Sequence, residues 1–247
     1  MEKKFGLIGK VVSHSYSKAY FDEKFFREKL RDYRYDLYAI PDIKELKAIL
    51  NDNPELCGLN VTIPYKEQVL PLLDEVDADA QQIGAVNVIR ILAGKLKGYN
   101  TDSAAFLESL QHWSDQLKGE KAIILGTGGS SKAVQTALKK MNIPYQNVSR
   151  DPSLAPLTYD TLKSNPSYLE NHKLIINTTP LGMSPNDSSF PDIPYEQLTD
   201  HHLVYDLIYN PARTQFLQKA EMRGAAIKNG LEMLHLQAEK SWNIWNS

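Results

Sequence analysis

The stretch Lys121-Ala-Ile-Ile-Leu-Gly-Thr-Gly-Gly-Ser-Ser-Lys-Ala133 packs three glycines, Gly126, Gly128 and Gly129, into four positions. No other feature constrains the fold as strongly. Ala122–Leu125 is a short apolar run of the kind that forms a strand buried on both faces, and residues 132–139 resume with helical spacing. Strand, glycine turn and helix together make the phosphate end of a dinucleotide site. Glycine lets the backbone turn sharply and approach a pyrophosphate, while the unpaired N–H groups and dipole of the helix start favour negative charge. The third position of the usual G-x-G-x-x-G is Ser131, so the fit is to G-x-G-G, and an ordinary tight strand-to-helix turn is the competing reading.

A chain of 247 residues suits one large or two modest domains and can bury a sizeable core. With 42% hydrophobic and 23% charged residues and a net charge of −2, it has the composition of an ordinary globular protein. Lys and Arg are interleaved with acids and form no basic stripe, which argues against a nucleic-acid partner. No apolar run reaches the length of a membrane span, and Met1-Glu-Lys-Lys has no apolar signal core behind it. Cys57 is the only cysteine, which excludes an internal disulfide and a cysteine-based metal cluster. Its apolar neighbours suggest a buried small hydrophobe. The expectation is a cytoplasmic protein with a small-molecule substrate and no metal, a monomer or homodimer.

Along the chain, residues 5–9 read as a first strand. Ser17 is placed to cap a helix over 18–31 that buries Phe21 with Phe25 and Phe26 with Leu30. Strands follow at 35–39 and 56–62, with an Asp42-Ile-Lys-Glu45 capping box between them. Helices at 66–73 and 78–83 lead to two strands, 86–92 and 96–99, around Ala93-Gly94. A helix then opens at Asn100-Thr101-Asp102. From Lys121, strands at 122–125, 145–149, 173–177, 203–206 and 225–228 alternate with helices at 131–141, 159–165 and 214–223, which predicts a parallel sheet. Residues 165–171 and 184–195 are rich in Pro, Asn and Ser and read as loops. A last helix over 231–245 points Leu234, Ala238 and Trp242 or Trp245 inward.

Four polar clusters fall at loop ends, where α/β proteins place ligands. In His14-Ser15-Tyr16-Ser17 two hydroxyls in an extended loop could hold a carboxylate or polyol, or Ser17 could be a helix cap and Ser15 solvated. In Asn60-Val-Thr-Ile-Pro-Tyr-Lys66, Asn60 and Thr62 share a strand face, and Lys66 past the proline bend is a general acid/base candidate or a surface charge. Asn87 of Gly84-Ala-Val-Asn87 is a turn residue or a ligand. Asp102 of Gly98-Tyr-Asn-Thr-Asp102 is a plain N-cap or a functional carboxylate.

Taken in order, H-S-x-S, N-V-T-x-P-x-K, G-A-V-N, G-x-N-T-D, G-x-G-G, N-T-T-P-x-G-M (177–183) and G-x-x-M-L-x-x-Q-A (230–238) span nearly the whole chain. The sequence thereby resembles the shikimate dehydrogenase family, with N-V-T-x-P-x-K and G-x-N-T-D the specific motifs. The resemblance implies an α/β protein with an N-terminal α/β substrate domain (residues 1–102, completed by 230–247), a Rossmann-type domain (103–229) and an active-site cleft between them. It implies reversible, NADP-dependent reduction of 3-dehydroshikimate to shikimate in aromatic amino-acid (chorismate) biosynthesis. Ser15 and Ser17, with Tyr209, match the residues that hold the substrate carboxylate. Thr62, Asn87, Asp102 and Gln237 match those that hold the ring hydroxyls, and Lys66 and Asp102 match the catalytic pair. Gly126, Thr127, Gly128, Gly129, Ser130, Ser149, Arg150, Thr178 and Gly230 fall on the NADP side.

The chemistry accords with that pair. Hydride arriving at a carbonyl carbon leaves an alkoxide that needs a proton within hydrogen-bond reach, and a lysine beside an aspartate can give it. Lysines of ordinary pKa, about 10.4, are poor bases at neutral pH, so oxidation should improve as pH rises. About twenty residues after the glycine turn, NAD enzymes place an acid for the ribose 2′-hydroxyl. Here Arg150 stands where a 2′-phosphate would lie, although Asp151 replaces the Thr of the family's N-R-T. Lys132 could also reach the phosphates or be a solvated helix residue. Lys18 replaces the usual Pro after H-S-x-S, and Val88 the usual Thr after G-A-V-N. Two rival readings stand: an NAD-linked quinate/shikimate dehydrogenase, and a cofactor-binding sensor without turnover.

Overall fold

A computed structural model describes residues 2–13 and 15–247; His14 of the first motif lies outside the described residues. The chain forms two compact units, Met1–Asp102 with Gln237–Ser247, and Ser103–Leu236. The return to the first unit thus falls inside the last helix.

The first unit contains β1 (Lys3–Gly9), α1 (Tyr16–Arg27), β2 (Tyr33–Ala39), α2 (Leu46–Asp52), β3 (Leu56–Val61), α3 (Tyr65–Gln68), β4 (Glu75–Val76), α4 (Ala78–Ile83), β5 (Val88–Leu92) and β6 (Lys95–Tyr99). Asp102 then opens α5 (Asp102–Ser109). The sheet order is β2-β1-β3-β5-β6-β4. β1 runs parallel to β2 and β3, while β5 is antiparallel to β3 and β6. The β5–β6 turn takes positive φ at Ala93 (50°) and Gly94 (77°), the twist a two-residue hairpin requires.

The second unit contains β7 (Ala122–Leu125), α6 (Gly129–Lys140), β8 (Tyr145–Ser149), β9 (Leu157–Thr158), α7 (Tyr159–Ser164), α8 (Ser167–Glu170), β10 (Leu174–Asn177), β11 (Leu203–Asp206), α9 (Gln215–Glu221) and β12 (Ala226–Lys228), and the start of α10 (Leu231–Trp245). Its strands are all parallel in the order β12-β11-β10-β7-β8-β9. This is the doubly wound arrangement, with the order reversing between β7 and β10. Ile123 and Ile175 face one apolar layer, and Ile124 and Ile176 the other, so these strands are buried on both faces. Among the described residues no helix is long and apolar enough to cross a membrane.

Several expectations are corrected. Ser15, not Ser17, caps α1: its extended backbone lets Oγ accept from Ser17 N at 3.2 Å, and Ser17 is buried in the first turn. α1 ends at Arg27 because Lys29 adopts φ 58°, which turns Leu30 back toward the aromatic cluster and leaves Phe26 87% exposed. The expected helix over 66–73 is one turn of α3 followed by a 3-10 turn, since Pro71 has no N–H to continue it. Val86 and Asn87 precede β5 rather than lying in it, and Pro166 starts the short α8 where a loop was expected. The two-residue strands β4 and β9 carry no sequence pattern of their own. Cys57 is only half-buried.

α10 closes the first unit through a tight fit. A Cβ on Gly58 of β3 would stand 2.2 Å from Nε1 of Trp245, whose N–H donates to Ile89 O at 3.0 Å. Gly58→Ala is therefore expected to cost about 1–3 kcal/mol by forcing Trp245 from its seat. Thermal denaturation checks this: a Tm equal to wild type would mean that the Trp245 contact adapts freely.

Candidate active site

In the first unit, Lys66 sits on the single turn of α3, two residues past Pro64. Its backbone carbonyl accepts from Val86 N at 2.7 Å, tying α3 to the segment ahead of β5. Its Nζ donates to Asp102 Oδ2 at 2.6 Å, and the two side chains are 14% and 8% exposed. Asp102 is the first residue of α5 and not a cap. Its other oxygen, Oδ1, accepts from Asn87 Nδ2 at 2.8 Å. Asn87 also donates to Thr101 Oγ1 at 2.9 Å and accepts from Thr101 N at 2.8 Å. Both amide hydrogens of Asn87 are thus spent on the G-x-N-T-D segment, and the carboxylate cannot rotate without breaking bonds to two elements.

The other expected substrate residues of this unit differ in setting. Thr62 follows β3, half-buried, with its N–H on Ile8 O at 2.9 Å; its methyl occupies the space a Cβ on Gly9 would need. Ser15 holds the cap of α1, and Ser17 is 6% exposed. Lys18, the departure from the family's Pro, donates to Tyr35 O at 2.8 Å and pairs with Asp22 at 3.0 Å, so its charge is matched locally. Gln237 lies half-buried on α10, its carbonyl accepting from Thr101 Oγ1 at 3.2 Å. Asn60 is not a surface ligand. It is 4% exposed, accepts from Tyr35 Oη at 2.8 Å and donates to Ser241 Oγ at 3.0 Å.

In the second unit, the expected cofactor residues gather at the C-terminal edge of the sheet around the switch point, where doubly wound folds bind ligands. Gly126 leaves β7 with φ 115°, and a Cβ there would stand 2.6 Å from Thr178 Oγ1, which itself donates to Leu125 O at 2.7 Å. Thr127 continues the turn. Gly128 precedes the first turn of α6, which holds Gly129 and Ser130, and a Cβ on Gly128 would meet nothing within 4 Å. The protein's own packing does not demand glycine there; open space beside a helix N-terminus does suit a pyrophosphate. Ser131, in place of the third glycine, is fully buried, donates to Gly126 O at 2.8 Å and accepts from Asn147 Nδ2 at 2.9 Å. It pins helix, turn and β8 together.

Ser149 ends β8 buried, its Oγ accepting from Asp151 N at 3.0 Å, and Arg150 follows on the surface. Asp151 turns to its own loop and accepts from Ser153 N at 2.9 Å and Ser153 Oγ at 2.7 Å, bonds that hold its carboxyl below the usual range. Gly230 is required by close approach, since a Cβ would stand 2.0 Å from Leu207 O. Tyr209 is half-buried on the segment after β11. These residues fit an NADP molecule: a glycine turn open at Gly128, a helix N-terminus, and a guanidinium after β8. Among the described residues no cluster of three or more His, Cys, Asp or Glu could hold a metal.

Residues 7–89 match the family described as the shikimate dehydrogenase substrate binding domain. The shikimate dehydrogenase (NADP(+)) of Staphylococcus haemolyticus is 35% identical over 98% of this chain and 92% of its own. The chain belongs to the shikimate dehydrogenase family. Among solved structures, shikimate 5-dehydrogenase from Thermus thermophilus in complex with NADP(H) and shikimate has a TM-score of 0.84 at 30% identity, covering 98% of this chain and 93% of that one. Quinate dehydrogenase from Corynebacterium glutamicum in complex with NAD has a TM-score of 0.85 at 27% identity, covering 99% and 93%.

One buried group of this family member lies in none of the sequence motifs. Asp206, at the end of β11, is fully buried and accepts from Asn177 Nδ2 (3.0 Å), Ile208 N (3.1 Å) and Thr214 Oγ1 (2.6 Å). Asn177 in turn accepts from Thr179 N at 3.0 Å, so the carboxylate organises the loop after β10 as well as its own. Its only sequence sign is an acid closing an apolar run. Burial outweighs the three donors and pushes its pKa up to about 7. The folded state therefore holds a proton that the unfolded state releases above an ordinary carboxyl pKa of about 3.9, and this group costs stability as pH rises toward 7. Asp206→Asn is expected to shrink the decline in Tm between about pH 4 and 7; an unchanged slope in a pH series of thermal melts would contradict it.

Proposed function

We propose that this protein is an NADP-dependent shikimate dehydrogenase, reversibly reducing 3-dehydroshikimate to shikimate in aromatic amino-acid biosynthesis, in the cytoplasm, as a monomer or homodimer. The observation that carries the catalytic reading is the Lys66–Asp102 pair at 2.6 Å, with Asp102 held from behind by Asn87. Ser15, Ser17 and Tyr209 would hold the substrate carboxylate. Thr62, Asn87, Asp102 and Gln237 would meet its hydroxyls. NADPH, when bound by Gly126, Thr127, Gly128, Gly129, Ser130, Ser149, Arg150, Thr178 and Gly230, supplies the hydride. Lys66 gives a proton from its ammonium to the oxygen of the reduced carbonyl, and Asp102 orients that ammonium throughout. In the oxidation direction neutral Lys66 takes the hydroxyl proton.

Asp151 beside Arg150, and the likeness to a quinate dehydrogenase bound to NAD, favour one second reading: a dehydrogenase that also takes NAD or quinate. Because Asp151 spends its carboxylate on Ser153, Arg150 remains the group suited to a 2′-phosphate, and the NADP reading is preferred. The absorbance of the reduced nicotinamide, followed with shikimate or quinate and with NADP or NAD, separates the readings. Turnover with shikimate and NADP alone is expected, whereas comparable rates with NAD or quinate would establish the second. NADP binding without turnover on any pair would indicate a sensor.

Lys66→Ala and Asp102→Asn should each lower kcat by about a hundredfold or more, the usual worth of a positioned acid/base. Steady-state kinetics within a few-fold of wild type would remove the pair from the mechanism. Arg150→Ala should raise KM for NADP by about tenfold or more while leaving KM for shikimate unchanged, given the strength of hydrogen bonds to charged groups. Equal KM values for NADP would take the 2′-phosphate away from Arg150.

A further inference from the structure

The Lys66–Asp102 pair is the end of a longer chain of hydrogen bonds, all inside the first unit. Tyr35 Oη donates to Asn60 Oδ1 at 2.8 Å, and Asn60 Nδ2 donates to Ser241 Oγ at 3.0 Å. Ser241 Oγ donates to Gln237 O at 2.7 Å, and Thr101 Oγ1 donates to the same carbonyl at 3.2 Å. Asn87 Nδ2 donates to Thr101 Oγ1 and to Asp102 Oδ1, and Lys66 Nζ donates to Asp102 Oδ2.

Within this chain the direction of every bond is fixed. Asp102 and the Gln237 carbonyl can only accept, so Asn87, Thr101, Ser241 and Lys66 must donate to them. Thr101 N–H needs an acceptor, which sets the Asn87 amide with Oδ1 toward it and Nδ2 toward Asp102. Tyr35, Asn60, Asn87, Thr101, Asp102 and Ser241 are each 5% exposed or less, so water cannot readily replace a lost partner. Ser241 and Asn60 contact neither Lys66 nor Asp102 in this chain of bonds, yet they tie α10, which carries Gln237, to the segment that orients Asp102.

Building on the proposed dehydrogenase activity, we propose that Ser241 is a positioning residue that, through the Gln237 carbonyl and Thr101, fixes the orientation of the Lys66–Asp102 pair. Asn60 sets the direction of its hydroxyl. A misplacement of about 1 Å at the pair can slow the reaction about a hundredfold, because the donor must meet the developing alkoxide in line, and loss of one hydroxyl in this chain is expected to cost part of that.

The test combines Ser241→Ala with Thr101→Val, which is nearly isosteric but lacks the hydroxyl, and with Thr101→Ser, which restores it. Ser241→Ala and Thr101→Val should each lower kcat for shikimate oxidation by about tenfold with KM for NADP unchanged. Thr101→Ser should recover most of the loss. The double variant should be less impaired than the product of the single effects, since both hydroxyls act on one carbonyl. If wild type turns over shikimate and all variants match it, the positioning role is overturned while the dehydrogenase reading stands. If wild type is inactive, that reading falls, and the side-chain amide resonances of Asn87 still decide this one. Ser241→Ala should shift them in a heteronuclear NMR spectrum, and unshifted resonances would overturn the proposal independently of activity.

Discussion

A carboxylate withdrawn from water must find its counter-charge and its donors inside the protein, or it will not stay ionised there. Asp102 meets that requirement with Lys66 on one oxygen and Asn87 on the other. The partners come from α3 and from the segment ahead of β5, and Asp102 itself opens α5. The bend after β3, the left-handed Gly84 that ends α4, and the hairpin returning through β6 to Asn100 all serve to bring these three segments together. The first unit is thus organised so that one ion pair can be both buried and oriented.

The second unit answers a different constraint: a diphosphate needs backbone donors and close approach, not a compensating side chain alone. Thr178 forces glycine at position 126, and the open ground at Gly128 leaves the first turn of α6 accessible. Ser131 shows why the usual third glycine is dispensable here. Its hydroxyl does by hydrogen bonding to Gly126 O and Asn147 what glycine does elsewhere by having no side chain, namely bring helix and strand close.

What the sequence makes legible follows from locality. The β7–glycine–α6 stretch and the bounds of α10 at 231 and 245 are readable because apolar period and glycine placement are properties of neighbouring residues. The choice of Ser15 over Ser17 as cap is not, since both are good caps and only the backbone angles distinguish them. The motif places Asn60 on the face of Thr62, but its amide is spent on Tyr35 and on Ser241, 181 positions away. Ser241 carries no motif at all; its one local sign is a spacing of four from Gln237, which places its hydroxyl against that carbonyl. The pair itself was legible only through motif resemblance, because nothing local marks Lys66 as buried.

Asp206 and Asp102 show how the same side chain is put to opposite uses. Both are buried at the end of a polar network. Asp102 faces a cation, so its charge is balanced and its orientation is fixed. Asp206 is held by three neutral donors, Asn177, Ile208 N–H and Thr214, and burial raises its pKa despite them. Through those three bonds Asp206 ties the loops after β10 and β11 together near the edge of the sheet where the residues suited to an anionic cofactor gather. An unbalanced anion there would oppose the electrostatics that the glycine turn, the α6 N-terminus and Arg150 provide, and the burial that raises the Asp206 pKa acts in the direction that lessens that opposition.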